Sequence, residues 1–315
     1  MKAAQINTYG GSEVVEINND AAEPMIAPGK ILIEIYASGV NPVDWKIREG
    51  YLKERAPLQF PATLGGDFSG VVKEVGEGVS EFKKGDEVCG QAGLLNGGSG
   101  SFAEIALGDI QKIARKPKQV HHIEAAALPL AGVSAWQGLV DHIKLSKGNK
   151  ILIHGGAGGI GSFAVQIAKY LGAYVVTTVS ASDMEYVKEL GADETIDYQS
   201  QRFEDLAREY DAVFDDSGSG GDTYARSFQV VKKGGIVVSM TEQPREDLIE
   251  QYGVNAIRQS TDVNPERLAK LAELIDQGIL KIKIDKTFSL DQAAEALTYL
   301  QTKHSRGKVV LEVRH

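Results

Sequence analysis

The glycines at 156, 158 and 161 stand at a spacing that can bind a diphosphate through bare backbone. They lie in Lys150-Ile-Leu-Ile-His-Gly-Gly-Ala-Gly-Gly-Ile-Gly161, and Ser162-Phe-Ala-Val-Gln-Ile-Ala-Lys-Tyr-Leu171 follows with helical periodicity. In the dinucleotide-binding pattern the first glycine allows a tight turn. The second lets pyrophosphate approach the chain, and the third lets helix and sheet pack closely. The N–H groups around Gly156, Gly158, Gly159, Ile160 and Gly161, with the positive end of the helix dipole, can then hold phosphate without a metal. In a chain with 35 glycines such spacing also arises by chance, so its context matters.

That context is a strand before the loop, a helix after it, and a second apolar run, Tyr174-Val-Val-Thr-Thr-Val179, about 20 residues beyond the first glycine. Further strands are expected at 194–197, at Asp211-Ala-Val-Phe-Asp215, at Gly235-Ile-Val-Val-Ser239 and, more weakly, at 254–259. Helical runs such as Met184 to Leu190 separate them, so this part reads as a doubly wound parallel sheet. Before residue 125 the pattern differs: short β-type runs broken by glycine and proline, including Ile31–Ala37, Phe68–Val75, Glu87–Cys89 and Phe102–Ala106, predict a compact barrel-like domain. Met1–Gly10 reads as a first strand rather than a signal peptide. In the last fifty residues, helical runs Pro265–Gln277 and Leu290–Thr302 enclose Lys281–Asp285, and Lys308–Val313 reads as a strand.

Composition narrows the class. The 315 residues suffice for two domains with cores of their own, and 43% hydrophobic with 24% charged residues is globular. No apolar run approaches the ~18 residues that a membrane span needs, which makes the cytoplasm the expected location. The lone Cys89 excludes an internal disulfide and a four-cysteine zinc site. A net charge of −9 without a basic–aromatic strip argues against nucleic acid as partner.

Several ordered motifs together resemble the medium-chain dehydrogenase/reductase superfamily, in its zinc-independent quinone oxidoreductase branch. They are Gly39-Val-Asn-Pro-Val-Asp-Trp-Lys-Ile-Arg48, Leu64-Gly-Gly-Asp-Phe-Ser-Gly-Val-Val72, Val75-Gly-Glu-Gly-Val79, Lys84-Gly-Asp-Glu-Val88, Leu190-Gly-Ala-Asp-Glu-Thr-Ile-Asp-Tyr198 and Arg306-Gly-Lys-Val-Val310. The resemblance spans nearly the whole chain. It implies an α/β architecture: a GroES-like β-barrel catalytic domain from 1–124 and 262–315, an inserted Rossmann domain at 125–261, and an active site in the cleft between them. It also implies a homodimer formed by edge pairing of the sixth Rossmann strand.

Zinc-dependent relatives carry a cysteine where this chain has Asn41 and a histidine where it has Gly66, so no metal is expected. His121, His122 and His142 read as surface or helix-flanking residues, and His154 as a residue with local hydrogen bonds. Without a Lewis acid, the implied chemistry is hydride transfer from a reduced nicotinamide to an electron-poor acceptor, a quinone or an α,β-unsaturated carbonyl. In the family the asparagine at Asn41 lies beside the substrate oxygen, where its amide can donate to developing negative charge. Its other role is a turn before Pro42. The Asp44-Trp45-Lys46 pattern resembles alkenal and enone reductases more than bacterial quinone reductases. Lys46 either orients the carbonyl and assists protonation or is simply solvated, and Tyr51 either donates a proton or packs at the cleft lip.

NADPH is the expected cofactor, because Thr178-Val-Ser180 offers no carboxylate to repel a 2′-phosphate. Ser180 and Ser182 can donate to that phosphate, and Tyr198 matches a tyrosine that packs by it in relatives. Alternatively the serines only cap a helix and the tyrosine only packs. Many relatives have a lysine near position 182, where this chain continues with Asp183, so Lys308 is considered as the missing charge partner. Ser134 completes the expected cofactor contacts. The alternative function is a catalytically weak NADPH-binding sensory or regulatory protein of the same fold.

Overall fold

The computed structural model describes residues 1–206, 209–218 and 222–314. The chain forms two compact units, Met1–Leu130 with Val263–His315, and Ala131–Asp262.

The second unit is built on six parallel strands in the order Glu194–Asp197, Tyr174–Val179, Lys150–His154, Tyr210–Asp215, Val231–Ser239, Asn255–Arg258. Strand Lys150–His154 lies in the middle because Ile151, Leu152 and Ile153 are apolar on both faces, as a strand covered by helices on both sides requires. The chain leaves it first toward Tyr174–Val179, then returns to its other side as Tyr210–Asp215. The direction of winding therefore reverses at its carboxyl end, where open α/β sheets bind ligands. The glycine loop starts there and leads into helix Gly159–Tyr170, whose residues Gly161 to Ala168 are buried.

In the first unit the eleven-residue strand Lys30–Val40 organises the larger sheet. It pairs with Asp67–Val75 on one side. Its other side is shared: Lys30 to Glu34 pair with Ile105–Asp109, and Ala37 to Val40 pair with Lys308–Glu312. Glu87–Gln91 and Ile113–Arg115 extend the sheet beyond Asp67–Val75, and Ile284–Ser289 extends it beyond Lys308–Glu312. A three-stranded sheet of Val15–Asn18, Ala3–Ile6 and Ala62–Thr63 packs Ala4, Ile6 and Ala62 against Leu297 and Val309. One expected strand shifts. Phe102 and Ala103 do not join the large sheet, because Phe102 bonds to Leu64 and Ala4 through its backbone and Ala103 bridges Ala3; the strand begins at Ile105. Between the two C-terminal helical runs the chain forms the strand Ile284–Ser289, held in parallel register by Lys308–Glu312.

Candidate active site

The glycine loop presents backbone and little else. Gly158 is the N-cap of helix Gly159–Tyr170 and no side chain caps it, so the first-turn N–H groups of Gly159, Ile160 and Gly161 have no helical acceptor. A Cβ on Gly156 would lie 2.1 Å from Thr177 Oγ1, and one on Gly161 would lie 2.1 Å from the Gly155 carbonyl oxygen. Those two glycines are demanded by packing within the unit. A Cβ on Gly158 would have only the Gly155 oxygen near it, at 3.3 Å, so its missing side chain leaves open the space in front of the helix. That cradle fits a diphosphate group of a dinucleotide.

At the end of strand Tyr174–Val179, the Ser180 hydroxyl donates to Asp183 Oδ2 at 2.7 Å and lies 2.9 Å from Ser182 Oγ. Tyr198 is about half exposed. Ser134 is buried, with its hydroxyl 2.7 Å from Thr261 Oγ1. His154 differs from expectation. It is the last residue of its strand rather than a loop residue, and its bonds are not local: Nδ1 lies 3.1 Å from Thr178 Oγ1 and Nε2 3.1 Å from Ser227 Oγ. Burial pushes its pKa down to about 4, so the ring is neutral and ties the central strand to its neighbour and to helix Asp222–Ser227.

In the first unit a second group of side chains converges on Asn41. The Pro42–Arg48 helix starts after it, and the Asp44 carboxylate reaches back to accept the Asn41 backbone N–H at 2.8 Å. The Asn41 side chain bridges two charges. Its Nδ2 donates to Asp67 Oδ2 at 2.9 Å, and its Oδ1 accepts from Lys308 Nζ, which also donates to the Val40 carbonyl at 3.1 Å. Asp67 accepts in addition from Gln91 Nε2 and from the Leu130 N–H, both at 2.9 Å. All five side chains, Asn41, Asp44, Asp67, Gln91 and Lys308, are buried. Burial pushes the Asp44 carboxyl up to about 7, against the pull of the Asn41 N–H, and the nearby Asp67 charge adds to the rise. Burial raises Asp67 as well, opposed chiefly by Lys308 and then by its hydrogen-bond donors.

The Lys308 ammonium, expected as a charge partner for the ribose phosphate, is buried beside Asn41 in the first unit, in the field of two carboxyl groups. Asp67 and Gln91 escape sequence reasoning, since their partners lie 26 and 24 residues away. One signal is available: Asp67 opens the apolar strand Asp67–Val75, and an ionisable residue in a buried strand is rarely there for packing.

Lys46 and Tyr51 both meet Trp45. The Lys46 ammonium lies 5.5 Å from the indole centroid, and the Tyr51 ring packs edge-on at 5.8 Å while remaining 69% exposed. His122, expected as a surface or helix-flanking residue, opens the helix His122–Ala126 and is mostly covered: it stacks on Tyr36 and its Nδ1 lies 2.8 Å from Ser69 Oγ. Among the described residues no group of three or more His, Cys, Asp or Glu side chains stands close enough to hold a metal, and no helix is long and apolar enough to cross a membrane.

Comparison with known proteins agrees with this architecture. Residues 27–118 match the family model of the alcohol dehydrogenase GroES-like domain, and residues 190–311 that of the zinc-binding dehydrogenases. A 2-methylene-furan-3-one reductase of Solanum lycopersicum is 39% identical over 99% of this chain and 79% of its own length. A chloroplastic NADPH-dependent alkenal/one oxidoreductase of Arabidopsis thaliana is 37% identical with the same coverage. The structure of the quinone oxidoreductase from Coxiella burnetii superposes with a TM-score of 0.91 at 34% identity, covering 100% of this chain and 99% of that one. The chain belongs to the medium-chain dehydrogenase/reductase superfamily, in its quinone oxidoreductase branch.

Proposed function

We propose that this oxidoreductase reduces α,β-unsaturated carbonyl compounds, and quinones less readily, with NADPH and without a metal ion. The single observation that carries the reading is the Asn41 amide, buried in a charged network where zinc-dependent relatives have a ligand. NADPH supplies the hydride. The Gly156–Gly161 loop binds its diphosphate through the N–H groups of Gly159, Ile160 and Gly161, and Ser180 and Ser182 donate to the ribose phosphate beside Tyr198. Ser134 lines the cofactor site. Asn41 donates to the acceptor oxygen as negative charge develops there, the task that a Lewis acid performs in metal-dependent relatives. Lys46, held over Trp45, orients the carbonyl, and the exposed Tyr51 phenol delivers the proton that completes the reduction. The preference for conjugated carbonyls is supported by the Asp44-Trp45-Lys46 pattern and by the names of the two plant relatives.

Replacing Asn41 by alanine tests the reading. Turnover of an enone should fall by about two orders of magnitude, the scale of losing one oxyanion donor, with NADPH affinity nearly unchanged. A fall of less than about threefold makes Asn41 a turn residue and transfers the chemistry to Lys46 and Tyr51. The terminal strand Asn255–Arg258 carries unpaired backbone groups on its outer edge, which pairing with the same strand of a second copy would satisfy. Light scattering at micromolar concentration should therefore give a dimer, and a monomer overturns this part.

A further inference from the structure

The Asn41 amide has two ends, and only one can help a developing oxyanion. Nδ2 donates, whereas Oδ1 would repel the charge. Which end faces which neighbour is decided by the hydrogen-bond network. The Lys308 ammonium has three donors and no acceptor, so the atom in contact with it must be Oδ1. The Asp67 oxygen that meets the other end already accepts the Leu130 N–H, and the second Asp67 oxygen accepts from Gln91, so an N–H group is the partner that suits it. Two charges of opposite sign, on either side of one amide, therefore select the same orientation. Turned by half a rotation, the amide would set its nitrogen against a cation and its oxygen against a carboxylate. The interior surrounding these groups offers little water to soften either contact.

We propose that Lys308 and Asp67 are positioning residues for the reduction. They lock the Asn41 side chain with its second N–H, which has no partner among the described residues, as the group presented for donation, and they polarise that N–H along the line from ammonium to carboxylate. This rests on the reading that Asn41 donates to the acceptor oxygen. Neither residue touches the acceptor. Lys308 acts through Oδ1 of Asn41 and Asp67 through Nδ2. The Gln91 amide and the Leu130 N–H hold the carboxylate in turn, and the Val40 carbonyl gives the ammonium a second acceptor. Each element of the lock is thus fixed by a further bond within the same unit.

Steady-state kinetics with an enone and NADPH on four variants separates this inference from the reading beneath it. Lys308→Met should lower kcat at least about tenfold, with KM for the enone and Kd for NADPH within about twofold of the parent, because only the donor presented at the reacting oxygen is lost. Lys308→Arg, which still donates, should recover kcat to within about threefold. A residue that merely stabilised the fold would move the melting temperature without this split between kcat and KM. Lys308→Met with more than a third of the parent kcat, beside an Asn41→Ala variant that has lost about a hundredfold, overturns the positioning role and leaves the donor role of Asn41 standing. Full activity in both variants overturns the donor role itself. If Lys308→Met is insoluble, the double variant Asp67→Asn/Lys308→Met, which removes both buried charges together, decides by the same criteria.

Discussion

The two candidate sites are built on opposite principles. The glycine loop of the second unit is a surface bare of side chains, so that backbone N–H groups at a helix start are left open to a ligand. The Asn41 cluster of the first unit is dense with side chains, and its groups are bonded to one another in the interior. A backbone site needs only local spacing and has almost no charge to titrate. A side-chain cluster has reach and polarity, at the cost of burying carboxyl groups whose charge the interior resists. On the proposed function, the first design suits binding because a diphosphate brings its own charge, and the second suits an acceptor oxygen that is uncharged before reduction.

The largest effect should come from filling the bare surface. Gly158→Val places a branched side chain where Gly158 has only one neighbouring atom, so the unit should still fold. NADPH affinity should fall by more than about a thousandfold, roughly 4 kcal/mol, by fluorescence titration. Normal NADPH binding to this variant would remove the loop as phosphate site and break the contrast. Gly161→Ala should behave otherwise, losing stability as well, since its Cβ would meet the Gly155 carbonyl oxygen at 2.1 Å.

Protonation sharpens the comparison, because the two units hold buried groups with opposite pH dependence. Asp44 has a folded pKa of about 7, above that of an exposed aspartate. Its contribution, about 4 kcal/mol, is complete below pH ~4 and is lost as pH rises through 7. His154 is held at about 4, below an exposed histidine. Its contribution, about 3 kcal/mol, is complete above pH ~6.5 and is lost as pH falls toward 4. Urea unfolding between pH 4 and 7.5 should therefore tilt further in favour of neutral pH in Asp44→Asn, which removes the Asp44 slope and keeps that of His154. An unchanged pH profile in that variant would mean that Asp44 is ionised throughout.

The smallest effect concerns the cofactor's ribose. Asp183 accepts from Ser180 at the point where a 2′-phosphate is expected, so Asp183→Ser should raise the affinity ratio of NADPH over NADH by about threefold, in keeping with a half-buried charge still open to solvent screening. A ratio that stays the same or falls would place the phosphate elsewhere.

The architecture is largely legible in the sequence, and the reason is periodicity. The six strands of the parallel sheet each show as a short apolar run, and even the weak one near 254 forms at Asn255–Arg258. The loop glycines are legible for the same reason, since their spacing is local. Asn41 is legible only through its resemblance to a family motif; of its partners, Asp67 shows only as an ionisable residue opening an apolar strand, and Lys308 does not show as a partner at all. Lys308 lies 267 residues away and is brought to Asn41 by strand pairing between Val309 and Val40. Reading the end of the chain alone, the lysine of Arg306-Gly-Lys-Val-Val310 reads as a cation for a phosphate. Only the antiparallel register turns it toward Val40 and Asn41.

That register also sets an order in time. The second unit is one continuous segment, Ala131–Asp262, and all of it leaves the ribosome before the residues that pair with Ala37 to Val40 have been made. During synthesis the parallel sheet can close while the edge of Lys30–Val40 still waits for Lys308–Glu312, with Asn41 facing no ammonium. A nascent chain would thus acquire its nucleotide cradle well before its reducing chemistry. Translation halted short of residue 308 would leave the glycine loop complete and Asn41 without its ammonium partner.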